Sequence, residues 1–220
     1  MHIGTGFIVV MDNFFRGTNI KDKWERKHIQ QYDLDKPFDF KDFEGEDVLG
    51  YGAVGAKILE ENKDVFNLNT LHELGCGNGA FAAYIKQHVL TDWDISAEDF
   101  SEVAIKSAKV KCPTVNYFTN DFLLNRIDKD YGCLTMFETI EHIEEGTNYE
   151  ILDSMLEHSE YTLISTVDTE DDCFGEHISH YKIDTFENKG YDVVWKSFLN
   201  EINMPDGIYH YMIFLIKGQL

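Results

Sequence analysis

Thr70-Leu71-His72-Glu73-Leu74-Gly75-Cys76-Gly77-Asn78-Gly79-Ala80-Phe81 is the stretch that decides the fold. A short run with apolar Leu71 and Leu74 reads as a strand, and three glycines turn the chain. Phe81, Ala82, Tyr84, Ile85 and Val89 then share one face at helical spacing. Strand, glycine turn and helix make the crevice at which open α/β sheets hold nucleotides. The glycines are spaced G-x-G-x-G, unlike the G-x-G-x-x-G of a dinucleotide site. Glu73 stands two residues before the first of them. A carboxylate beside this crevice repels a pyrophosphate and attracts an ammonium group.

Working outward, a second strand is expected over residues 89–94, ending on Asp94. Asp94 lies 19 residues after Gly75, close to the ~20-residue offset at which a carboxylate meets a ribose in doubly wound folds. One carboxylate can accept both donors of a ribose diol. Ile95 follows it, and Ser96 reads as the N-cap of a helix over 97–109, with Glu98 and Asp99 in its first turn. Further strands are expected over 115–119, 131–137 and 161–167, with a helix over 145–158 between the last two. Residues 190–198 and 207–217 form a terminal antiparallel pair. Upstream, Gly50-Tyr51-Gly52-Ala53-Val54-Gly55 matches a dinucleotide motif by letters, but no convincing strand precedes it and a glycine entry into a helix over 53–62 is the simpler reading. Residues 1–47 form an extension rich in aromatic and charged residues. It carries a helical stretch over 21–32, with Trp24, His28 and Tyr32 on one face, and then Phe38, Phe40 and Phe43. These aromatics either pack against the sheet or form a lid.

The 220 residues carry 40 acids against 19 bases, a formal charge of −21. Such a surface repels phosphate backbones, which disfavours nucleic acid and anionic membranes as partners and leaves a small molecule as the expected one. Cys76, Cys112, Cys133 and Cys173 show no zinc-like spacing. Reduced thiols and a cytoplasmic location are the simplest account. No run is long enough to span a bilayer, and the 6–11 run is too short for a secretion signal.

Glu73 with the G-x-G-x-G turn resembles motif I of the class I S-adenosylmethionine (SAM) methyltransferases, E/D-x-G-x-G-x-G. The resemblance covers roughly residues 48–218 of a domain expected over 48–220. It implies a Rossmann-like, doubly wound α/β domain of seven strands with a terminal antiparallel hairpin, and SAM as cofactor. On the same grounds Glu73 lies near the methionine amino group, and Gly75, Cys76, Gly77 and Gly79 run under the ligand. Asp94 and Ile95 flank the ribose, and Asn120-Asp121-Phe122 resembles the step where an acid (Asp121) and a ring-covering residue (Phe122) meet the adenine. Glu138-Thr139-Ile140-Glu141-His142 resembles the family's fourth motif, which faces SAM and substrate. Tyr51 matches the position of a segment that borders the substrate.

Methyl transfer to a hydroxyl needs a base working near neutrality, and His is the usual one. His142, supported by Glu141, and His180 are the catalytic candidates, and His177 borders the acceptor. The expected reaction is O-methylation of a sugar, phenol or other small molecule, with no metal. Two alternatives stay open. One is a metal-assisted RNA 3′-terminal 2′-O-methyltransferase with a divalent ion on Glu138, Glu141, His142 and His180. The other is an inactive SAM-fold binding module.

Overall fold

The structure is a computed structural model that describes residues 37, 38, 40, 50–168, 177–204 and 207–220, without the side chains of 200–209. Helix α1 (Tyr51–Asn62) leads through a short 3-10 turn, Lys63–Val65, to strand β1 (Thr70–Leu74). Helix α2 (Ala80–Tyr84) runs on into a π-helical turn, Ile85–Val89. Then come β2 (Asp94–Asp99), α3 (Glu102–Lys111), β3 (Asn116–Thr119) and β4 (Tyr131–Phe137). A 3-10 turn, Ile140–His142, precedes α4 (Thr147–Glu157) and β5 (Ser159–Asp168). Helix α5 (Thr185–Asn188) precedes β6 (Val193–Met204) and β7 (Gly207–Lys217).

The strands form one seven-stranded sheet in the order β3-β2-β1-β4-β5-β7-β6. The first five are parallel, and β7 slots antiparallel between β5 and β6. Strand order reverses between β1 and β4, so the carboxyl ends of those two strands flank the crevice where ligands of such sheets bind. Both faces are covered, so β1, β4 and β5 are buried along nearly their whole length. Leu71, Ile95, Ala97 and Cys133 pack under Phe81, Ile85, Ile105 and Ala108 on one face. Leu74, Leu134, Met136 and Ile164 pack under Leu152, Met155, Tyr181 and Phe186 on the other. No helix among the described residues is long and apolar enough to cross a membrane.

One register expectation fails. Residues 89–94 are not a strand. The helix after the glycine turn closes at Val89, and Lys86 Nζ ties down the next turn through the carbonyls of Thr91 and Trp93 (2.9 and 2.7 Å). The strand is Asp94–Asp99, so Asp94 opens it instead of ending it. The polar residues that suggested a helix start are buried inside the sheet. Ser96 Oγ meets His72 Nδ1 of β1 at 2.8 Å, and Glu98 Oε2 lies 3.2 Å from His72 Nε2. Ser96 therefore caps nothing. Ser101 is the N-cap of α3, accepting from the Ala104 N–H at 3.2 Å.

Of the expected extension, Phe38 and Phe40 are described. Phe40 packs on Tyr84 and His88 (ring centroids 5.4 and 5.3 Å), and Lys111 Nζ lies over Phe38. Tyr84 ends α2, His88 lies in the π turn and Lys111 ends α3, so these two rings pack on the helices that follow β1 and β2. The helix expected over 21–32, Phe43 and the remaining extension lie outside the described residues.

Candidate active site

The glycine turn leaves β1 with three left-handed residues, Gly75, Gly77 and Gly79 (φ 71°, 53° and 77°). Two of them are required by the chain's own packing. A Cβ on Gly75 would stand 2.6 Å from Thr139 Oγ1, and one on Gly79 would strike the Tyr117 ring. Tyr117 also donates its hydroxyl to the Gly79 carbonyl at 2.9 Å. The Cys76 N–H is held by the Glu98 carbonyl at 2.9 Å, and the Gly77 N–H by Asp99 Oδ2 at 2.9 Å. The turn is thereby stitched to the ends of β2 and β3, and its open side stays backbone.

Two buried acids lie beneath it. Glu73 accepts from the Ala82 N–H at 3.2 Å. Burial pushes its carboxyl up to about 8; the Ala82 bond works against that shift and the Asp99 charge adds to it. Asp99 accepts from Gly77 with one oxygen and from the Ser101 N–H (2.8 Å) with the other.

Asp94 is elsewhere. It pairs in register with Thr70 at the amino end of the sheet, is exposed, and has Lys129 Nζ at 3.9 Å. Ile95 is buried in mid-strand. The positions at the carboxyl end of β2 that the sequence reading sought belong to Asp99 and Phe100. Their signal was Ser101: moving the helix start to the next serine moves the strand end to Asp99. Asp121 and Phe122 follow β3 as expected, half-buried, with Asp121 Oδ1 accepting from the Leu123 N–H at 3.2 Å. Asn120 fastens that step, its backbone N–H to the Asp99 carbonyl at 3.0 Å and its side chain to Glu98 Oε2 at 3.1 Å.

Across the crevice, β4 ends at Phe137 and the chain turns sharply at Glu138, whose φ of 46° is the sole positive value at a non-glycine among the described residues. Ser165 of β5 holds it. The Ser165 hydroxyl donates to Glu138 Oε1 at 2.7 Å, and the Glu138 N–H reaches the Ser165 carbonyl at 3.2 Å. Burial first, and the neighbouring Glu141 second, keep the Glu138 carboxyl well above the usual carboxylate range, with Ser165 opposing. Glu141 is buried and accepts from Thr166 Oγ1 at 3.2 Å.

His142 and His177 are half-buried with ring centroids 5.0 Å apart, and Glu141 Oε1 lies 4.0 Å from His142 Nε2. His180 is exposed and does not belong to this group, whose second imidazole is His177. Residue spacing gave no means to choose between the two. Tyr51 packs against Phe137 and Tyr211 (5.6 and 5.7 Å) at the same end of β4. Tyr211 was missed because β7 reads as a plain strand. Burial, then the charges of Glu138 and Glu141, push its hydroxyl up to about 12.

A buried network carries His177 to this place. The Glu141 carbonyl accepts the N–H groups of Ile178 and Ser179 (2.9 and 3.1 Å). Asn148 of α4 donates to Ser179 Oγ (3.1 Å) and the Tyr181 hydroxyl (2.5 Å). Those two hydroxyls in turn reach the carbonyls of Ile143 and Ile140 (2.6 and 3.3 Å).

No protein-family model matches this sequence, and no curated protein matches it. Solved structures do. Magnesium protoporphyrin IX methyltransferase (ChlM) from Synechocystis PCC 6803 with bound S-adenosylhomocysteine (SAH) matches at 13% identity and TM-score 0.60, over 96% of this chain and 99% of that one. The N-methyltransferase NodS from Bradyrhizobium japonicum with SAH matches at 13% and 0.58, over 80% and 95%. TehB from Haemophilus influenzae matches at 15% and 0.60, over 74% of this chain and 62% of that one, so this chain spans less than two thirds of TehB. At such identities the likeness is one of fold: this is the Rossmann-like fold of the class I SAM-dependent methyltransferases, with its antiparallel strands at the C-terminal end.

Proposed function

We propose that this chain transfers a methyl group from SAM to an oxygen of a small molecule. The observation that carries the reading is the two-sided crevice at the strand-order reversal. Glu73, the glycine turn and Asp99 stand on one side, and Glu138, Glu141, His142 and His177 on the other. The residues present fit SAM. Gly77 carries no side chain on the turn along which an extended ligand would lie, and Asp99 stands at the carboxyl end of β2 with a carboxylate that can accept from a ribose diol. Glu73 offers a buried carboxyl that the methionine ammonium would draw into its charged form. Asp121 and Phe122 would flank the adenine. SAM supplies a methyl group on a sulfonium, so the chain's task is to hold the acceptor in line with it.

In the acceptor half, Tyr51 and Tyr211 give a flat apolar wall with polar tips, and Glu141 with His142 gives the hydroxyl a group to which its proton can pass. The charge of −21 supports a small molecule over RNA as acceptor. We place the protein in the cytoplasm, because Cys76, Cys112 and Cys133 are buried free thiols.

Titration calorimetry tests the cofactor. One saturable site for SAH and none for NADH is the expected result. Binding of NADH without SAH would remove the methyltransferase reading.

A further inference from the structure

The geometry points to a divalent transition-metal site made by Glu141, His142 and His177. One ligand atom from each lies within 4.8 Å of the other two. The 4.0 Å between Glu141 Oε1 and His142 Nε2 is too long for a hydrogen bond. It is within reach of the ~3.4 Å that separates two tetrahedral ligands each ~2.1 Å from one ion, a difference that a small rotation of either side chain closes. Thr166 fixes the orientation of the carboxylate: its hydroxyl binds Oε2 and leaves Oε1 on the side of His142. Such outer bonds are what hold metal ligands in place.

The second imidazole comes from a distant segment, and that segment is fastened to the first. The backbone carbonyl of Glu141 itself accepts from Ile178 and Ser179, the two residues after His177. Asn148, Ser179 and Tyr181 clamp the same segment to the turn that carries Glu141 and His142. The three ligands thus stand on one rigid unit, with Glu141 buried and both imidazoles half-buried. A chain of charge −21 favours a cation here.

The donor set names the class of ion. Two imidazoles and one carboxylate suit Zn²⁺, Mn²⁺, Fe²⁺ or Co²⁺, whereas Mg²⁺ and Ca²⁺ prefer oxygen alone. Three protein ligands leave positions for an exchangeable group, the pattern of a catalytic and not a structural site. This deepens the proposed reaction and rests on it only for what the ion does. An acceptor hydroxyl bound to the ion is acidified and loses its proton to solvent. The alkoxide then forms the C–O bond as the methyl–sulfur bond breaks, leaving SAH. With the ion in place His142 is a ligand, and the ion takes over activation of the hydroxyl.

The test uses tag-free full-length protein, stripped with chelator and titrated with Co²⁺ and Zn²⁺ without SAM or acceptor. One site per chain is expected, with visible Co²⁺ bands displaced by Zn²⁺. His142→Ala and His177→Ala should each weaken it at least a hundred-fold, Thr166→Val about ten-fold, and His180→Ala not at all, with melting temperatures showing that each variant folds. No saturable binding, or binding unchanged in the double His142→Ala/His177→Ala variant, overturns the site. SAH calorimetry on the same stripped protein is independent, so loss of the metal site and loss of the methyltransferase reading are told apart.

Discussion

At the scale of the residue, the chemistry of the crevice rests on acids taken out of water. Glu73 is the clearest case. Its carboxyl is raised from 4.5 to about 8, chiefly by burial. The folded state therefore holds a proton that the unfolded chain gives up. The stability this lends is complete below about pH 4.5 and is lost as pH rises toward 8. The melting temperature of the ligand-free protein should fall across that window, and Glu73→Gln should flatten the fall. Equal slopes in wild type and variant would place the charge of Glu73 in a more polar setting than its bond to Ala82 implies. The same scale explains which site residues the sequence disclosed. Glu73 and the glycines are legible because their order is unusual. Asp99 was hidden because Asp94 is also an acid after an apolar stretch, and offset alone favours it. His177 and His180 are two imidazoles in one loop, and the bonds from Ile178 and Ser179 to Glu141 decide between them.

At the scale of the element, periodicity found every described strand except β2, where it found the wrong end. The alternation in Asp94–Asp99 is of polar Ser96 and Glu98 with apolar Ile95 and Ala97, and its polar partner, His72, lies on another strand. Such pairing is invisible to a local pattern. The segment 177–181 is secured by a buried network in which one side chain, Asn148, supplies two of the bonds. Asn148→Ala removes the bonds to Ser179 and Tyr181 and leaves their hydroxyls short of a donor, a cost of about 1–3 kcal/mol. Hydrogen exchange of residues 177–181 should rise sharply while SAH affinity holds, because the glycine turn lies across the crevice. Unchanged exchange would mean that the Ser179 and Tyr181 bonds to the backbone suffice.

At the scale of the molecule, the sheet order separates the two halves of the site. β1, β2 and β3 carry the glycine turn and its acids, while β4 and β5 carry Glu138, Ser165, Thr166 and the turn with Glu141 and His142. β7 brings Tyr211 to the second half only because it inserts between β5 and β6, in register with Val167. The seven-strand count and the hairpin were legible; this insertion, and with it Tyr211, was not, because antiparallel pairing leaves no trace in either strand alone. The central claim is that SAM lies at the carboxyl ends of β1 and β2. Calorimetry of SAH with Asp99→Ala beside Asp94→Ala tests it most directly. Each charge-assisted bond is worth about 1.5–3 kcal/mol, so Asp99→Ala should weaken binding ten-fold or more and Asp94→Ala should leave it unchanged. Loss of SAH affinity in Asp94→Ala with a folded, fully binding Asp99→Ala would contradict the account.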